Sequence, residues 1–343
     1  MAGIHARPVT LRMIAKESGV NVSTVSRVLN AKQSEVLQWA SQETVDRIRE
    51  VAQRLQYSRN IYASNLRTAS SHLVGVIVPR LQDFVLATIY EGIEEAAIAH
   101  GYSTFATNSL DQKQRRRDRT EMMIDRRVGG LIFGDAHLED PFLDELKEDE
   151  FPLVLVSRRN PAHVSVTCDD YAGGRLVAAH LIETGRLDVG ILAGQRYAST
   201  AADRVRGVVD GFREAGIDVP DHRIVYGPFD AAGGRMATEQ ILSAGTVPNA
   251  IFATNDFAAI GAIGVLRDHG IAIPDDVALV GFNDTSLAVE LPIPLTTVRS
   301  PMHQMGYRSF ELLMQKMAGE DPVSEQLEPA LIIRASSGVP VQP

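Results

Sequence analysis

Between Val9 and Gln56 the apolar positions recur with a helical period, interrupted by turn residues. Leu11, Ile14, Ala15 and Ser18 stand at i, i+3, i+4 and i+7, one face of a first helix that Thr10 can cap. Gly19 ends that helix where a left-handed backbone is needed. Asn21 then caps a second helix whose buried stripe is Val25, Val28 and Leu29, while Ser23, Arg27 and Asn30 project from its opposite side. A third helix is predicted from Gln42 to Gln56, capped by Ser41, with Val45, Ile48, Val51, Ala52 and Leu55 on one face. From Leu73 the period changes. Apolar runs at 73–79, 103–107, 130–134 and 152–157 read as buried strands separated by helical patterns such as 89–100. The rhythm restarts with runs at 188–194, 223–227, 250–256 and 277–284. Such alternation gives parallel sheets covered by helices on both faces, and two sets imply two lobes with a cleft between them. Open parallel sheets bind ligands beyond the carboxyl ends of their strands. Those ends carry Asp135, Ser157 with Arg158, Asn255 with Asp256, and Asn283 with Asp284.

Composition changes this picture mainly through the distribution of charge. The chain has 343 residues and a net charge of −9, which alone argues against a DNA binder. Residues 1–68, however, hold ten Lys or Arg against five acids, so the head carries +5 and the body −14. A basic head on an acidic body confines attraction for phosphate to one end. Cys168 is the only cysteine, which rules out an intrachain disulfide and suits a reducing compartment. No apolar run approaches the ~18 residues of a membrane span. The expectation is a cytoplasmic protein without a membrane partner. The G-x-G-x-x-G, phosphate-loop, H-E-x-x-H and G-x-S-x-G patterns are all missing. No catalytic residue, metal or cofactor is therefore expected. The Arg115–Arg117 run, set among acids, reads as a solvated helix face.

A short, polar, arginine-bearing helix held by another across a tight turn is the arrangement that enters a major groove. Hydroxyls and amides suit phosphate oxygens, and arginine suits guanine O6 and N7. The competing reading is a helix pair within some all-α domain. The run TLRMIAKESGVNVSTVSRVLN resembles the N-terminal headpiece of the lac repressor family of bacterial transcription regulators, and the resemblance continues over nearly the whole chain. It implies an N-terminal all-α helix-turn-helix headpiece (1–58), a hinge helix or linker (59–70) and an α/β two-lobed effector-binding and dimerisation domain (71–343) of periplasmic-binding-protein type I. It also implies that Val22, Ser23 and Arg27 read bases while Thr10, Thr24, Ser26 and Asn30 hold phosphates. The segment YSRNIYASNLR resembles the family's hinge. There Leu66 matches a minor-groove wedge and Ala63 the small residue between paired hinge helices. Arg59 stands where the family has proline and offers a phosphate contact. The connection Ala31–Ala40 is longer than is usual in the family and carries Trp39. It is either an extra turn packed on the head or an added contact to the DNA backbone or a partner.

In the body the resemblance adds Arg204, matched to an arginine turned toward effector hydroxyls or carboxylates, and Phe229, matched to a ring that stacks on the ligand. The run 294–301 matches the segment where the chain crosses back between lobes. Asn283 replaces an aspartate of many sugar-binding members. With Arg158 and Arg204 nearby, this tilts the expectation toward a neutral or anionic ligand, such as an acidic or phosphorylated sugar. The expected protein is an effector-controlled repressor that binds double-stranded, pseudo-palindromic DNA. Its chain end lacks leucine heptads, so it should act as a homodimer. The alternative is a solute-binding protein of the same two lobes without a DNA role, which should carry an export signal and lack the basic head.

Overall fold

The computed structural model describes residues 9–30, 36–55, 57 and 71–338, in two units divided between Ala69 and Ser70. The head contains α1 (Leu11–Ser18), α2 (Val22–Asn30), a 3₁₀ turn (Val36–Gln38) and α3 (Gln42–Arg54). Thr10 caps α1 by accepting the Met13 N–H, and Ser41 caps α3 by accepting that of Thr44. Gly19 adopts φ 66° and returns its N–H to the Ala15 carbonyl, which turns the chain sharply between α1 and α2. Ile14, Ala15, Val25, Val28, Val36, Val45, Ile48, Val51 and Ala52 form the core of this small unit. The three helices predicted for the head are present, with α3 ending two residues early, while the hinge expected at 59–70 lies outside the described residues.

The body begins with β1 (Leu73–Val78), α4 (Phe84–Ala99), β2 (Ser103–Asn108), α5 (Lys113–Asp125), β3 (Gly130–Phe133), α6 (Pro141–Glu148), β4 (Leu153–Val156) and β5 (Ser165–Cys168). It continues with α7 (Asp170–Glu183), β6 (Val189–Ala193), α8 (Ser199–Glu214), β7 (Ile224–Tyr226), α9 (Ala231–Ser243), β8 (Ala250–Ala253), α10 (Asp256–Asp268) and β9 (Ala278–Asn283). A short α11 (Leu287–Glu290), β10 (Thr296–Arg299), α12 (Met302–Met317), β11 (Glu325–Leu327) and β12 (Ala330–Ile332) complete it. Two six-stranded sheets result, ordered β11-β5-β4-β3-β1-β2 and β12-β10-β9-β8-β6-β7. Pairing is parallel throughout except for β12, which runs antiparallel to β10. The eight predicted strands are β1 to β4 and β6 to β9. The additional strands are β5, two short edge strands, and β10, which lies inside the crossover run 294–301. Among the described residues no helix is long and apolar enough to cross a membrane.

The chain passes between lobes after β5, after β10 and after β11, so neither lobe is a continuous stretch of sequence. Helix α12 leaves the second lobe and packs on α4 of the first. Glycines set how closely this pair approaches: a Cβ on Gly92 would overlap the His303 carbonyl, and one on Gly306 that of Ile89. The pairs α7/α8 and α9/α10 repeat the device, with Gly174 facing Gly207 and Gly234 lying against Ala258. Because the obstacle is backbone, the helices themselves must move apart to admit a methyl group. Gly306→Ala should therefore lower the unfolding free energy by about 1–3 kcal/mol in denaturant titration. An unchanged midpoint would show that α12 is not tightly seated.

Candidate DNA-binding surface and ligand cleft

On the head, α2 presents Ser23 and Arg27 to solvent, and Val22 is 40% exposed beside them. Thr24 and Ser26 are half-buried nearer the core, and the Thr10 hydroxyl is engaged as the cap of α1. The Arg27 guanidinium carbon lies 4.4 Å from the centre of the Trp39 ring, so the connection between α2 and α3 reaches the exposed face of α2. Arg59, Ala63 and Leu66 fall outside the described residues, as does the side chain of Asn30.

In the body the strand ends enclose a cavity of about 520 Å³ between the lobes, within the usual range for small-molecule sites. Arg158, Arg204, Phe229, Asn255 and Asn283 line it. Phe229 packs against Gly194, the residue after β6, where a Cβ would collide with its ring. Asn255 caps α10 by accepting the Ala258 N–H at 2.7 Å, and its amide donates to the Phe229 carbonyl at 3.1 Å. The Asn283 Oδ1 is buried without a hydrogen-bond partner, and the residue has φ 110°. Asn283 lines the cavity, and a small rotation of its amide would offer this unmet acceptor to a ligand hydroxyl. Leu110, Asp111 and Ser157 also line the cavity with positive φ, and backbone strain of this kind gathers where ligands bind.

Both cavity arginines are already neutralised. Arg158 forks onto both Asp111 carboxylate oxygens at 2.6 and 3.2 Å, while Arg204 donates to Asp170 at 2.7 Å and to the Thr254 carbonyl at 2.6 Å. Arg80, the third cationic lining residue, is outnumbered by Asp83 and Asp230, which cap α4 and α9. Aromatic rings flank Arg158 from the opposite lobe, with Tyr197 at 5.7 Å and Phe229 at 5.5 Å. The lobes also touch through stacked rings, His137 with Tyr197 at 4.1 Å and Phe84 with Phe257 at 6.0 Å. Burial, with help from the Arg116 charge, lowers the His137 pKa to about 4, so that ring is neutral at pH 7.

Two residues expected in the cleft stand behind its wall. Asp256 takes the N–H and hydroxyl of Thr285 on one oxygen and the Thr297 hydroxyl on the other, and burial pushes its carboxyl up to about 6. It braces the β9 turn from within. Asp135 lies against Arg116, which also grips Asp140 through both oxygens. Arg116 is thus a buried anchor rather than part of a solvated face, at 2% exposure. The sequence reading missed Asp83, Asp111, Tyr197 and Phe257 as lining residues. Applying the strand-end rule to β2 as well would have found Asp111.

Comparison with known proteins identifies this pairing of head and cleft. Residues 10–60 match the lacI family of bacterial regulatory proteins, and residues 178–337 match the periplasmic binding protein-like domain. The chain belongs to the lacI family. It is 29% identical over 332 residues to the HTH-type transcriptional repressor PurR of Pasteurella multocida (strain Pm70), covering 95% of this chain and 98% of that one. A solved Lac repressor dimer bound to operator and the anti-inducer ONPF superposes with a TM-score of 0.87 at 26% identity, over 96% of this chain and 99% of that one. The transcriptional regulator CelR in complex with cellobiose gives a TM-score of 0.72 at 26% identity, with the same two shares covered. As a lacI-family member the protein is a DNA-binding transcription regulator with an effector-binding domain, not an enzyme.

The buried carboxyl behind the cleft gives this lacI-family body a pH signature. Folded, Asp256 keeps its proton to about pH 6, above the value near 3.8 of a free aspartate. Its contribution to stability is therefore greatest in acid and is lost as pH rises from about 4 to about 6. Asp256→Asn preserves the shape and should flatten that part of the stability curve by up to about 1.4 kcal/mol per pH unit. Parallel curves for the two proteins in denaturant titrations would refute the assignment.

Proposed function

We propose that the protein is a homodimeric repressor whose operator affinity is set by a neutral, ring-bearing polyol, most simply a sugar, held between the lobes. The neutralised cleft carries this reading. Each buried arginine already has its carboxylate, which leaves no uncompensated cation for an acidic or phosphorylated ligand. The open Asn283 oxygen accepts a hydroxyl, and Phe229 offers an apolar face. The relatives support each part of it: PurR is named a repressor, the Lac repressor is a dimer on operator, and CelR holds cellobiose. The effector acts only through its preference for one arrangement of the lobes, a coupling of about 1–3 kcal/mol.

Val22, Ser23 and Arg27 read bases in this scheme, Thr10, Thr24, Ser26 and Asn30 position the head on phosphates, and the 59–70 hinge places Leu66 at the dyad with Ala63 beside its twin and Arg59 on phosphate. Selection from random DNA should return a pseudo-palindrome. Arg27→Ala should relax it at one base pair per half-site, losing about 1–3 kcal/mol of discrimination there. An even loss over all sequences would make Arg27 a phosphate contact instead.

For the effector, Asn283→Ala and Phe229→Ala are better probes than Arg204→Ala, which strands Asp170 in the interior at a cost of about 3–5 kcal/mol. Operator binding should respond to a neutral mono- or disaccharide, and either variant should weaken that response at least tenfold while leaving ligand-free DNA affinity intact. A response to anionic sugars alone would overturn the neutral-ligand reading.

A further inference from the structure

We propose that Trp39 is a positioning residue for Arg27: the indole holds the guanidinium in place on the exposed face of α2 and thereby sharpens base discrimination. This rests on the reading that Arg27 contacts a base edge.

Val36 is buried in the head core and fixes the 3₁₀ turn. The Trp39 N–H closes that turn on the Val36 carbonyl at 3.1 Å. The ring that follows is 45% exposed, so core packing does not account for its place. What it meets is Arg27, with 4.4 Å from the guanidinium carbon to the ring centre, well inside the range of a cation–π contact. A free arginine on a helix surface samples many rotamers, and that freedom is lost when it docks on a base. An indole face removes part of this freedom before DNA arrives. A cation–π contact is electrostatic and does not consume the N–H donors as hydrogen bonds to an acceptor would, so they stay available to guanine O6 and N7. The longer connection between α2 and α3 then acts as a support for the reading arginine, without needing to touch DNA itself.

The test uses the full-length protein and a panel of operators, each changed at one base pair. Trp39→Ala should lower discrimination about two- to fivefold, at the same base pair that Arg27→Ala relaxes. Binding to unrelated DNA and the salt dependence should be unchanged, and Trp39→Phe should restore most of the effect. In the Arg27→Ala background the loss of Trp39 should add nothing, which a purely structural role would not produce. Trp39 is the only tryptophan, so a change in intrinsic emission of free Arg27→Ala protein reports the contact independently of DNA. Equal costs in both backgrounds, an even loss across all operators, or tighter binding by Trp39→Ala would each overturn the proposal. If Arg27→Ala relaxes no base pair, the reading of Arg27 itself fails. The emission change would still register the contact, so the two failures are told apart.

Discussion

A guanidinium taken out of water has to find its countercharge within reach, and of the four such groups among the described residues three fasten the elements around the cleft. Arg204 reaches from α8 to the first turn of α7 and to the end of β8, so three elements converge at one corner of the cleft. Arg158 joins the end of β4 to the loop after β2 through Asp111. Arg116 fastens α5 to the loop after β3 through Asp140 and the Asp135 carbonyl. Ion pairs of this kind add little net stability, since desolvation offsets most of their attraction. What they supply is position. The same pairings leave neither buried cavity arginine without a carboxylate.

The arginine clamps also explain how strained backbone is tolerated at the rim. Asn283 and Asp284 both have positive φ, at 110° and 55°. Arg299 and Arg334 hold the Asp284 carboxylate from two sides, at 2.8 and 2.7 Å. Asp256 holds the turn from below through Thr285. With the neighbouring residue so restrained, the amide of Asn283 is kept at the cavity wall with an acceptor unmet. The strain and the open acceptor are two aspects of one preorganised contact.

The parts of this architecture that rest on local pattern were legible in the sequence. Strands β1, β3, β4, β6, β8 and β9 are largely apolar runs because helices cover both faces of each sheet, while the edge strand β2, Ser103–Asn108, is half polar and less buried than the sequence pattern suggests. The helices of the head declare themselves through Thr10, Gly19 and Ser41. Other parts depend on partners distant in sequence. β11 and β12 are three residues each and half-exposed at sheet edges, so Glu325–Leu327 and Ala330–Ile332 carry too little apolar signal. Arg116 sits in a highly charged helix, and only Asp140, far along the chain, makes it a buried residue. The strand-end residues gather around the cavity, but the turn beyond each strand decides which way its side chain faces. Asn283 lines the cavity while Asp256 and Asp135 brace its wall.

The discontinuity of the lobes bears on how the chain is made. A ribosome delivers residues in order, and the first lobe has β1 to β5 long before α12 and β11 emerge. Until then the face of α4 around Gly92 lacks its neighbour and β5 has no outer strand. Synthesis proceeds at about 5–20 residues per second, so this face stays uncovered for several seconds while the second lobe is translated. The head has its core within the first 57 residues and is under no such delay. A nascent chain can thus carry a finished DNA-binding unit in front of a body that is still open to chaperones and proteases. The body is sealed only when its last fifty residues arrive.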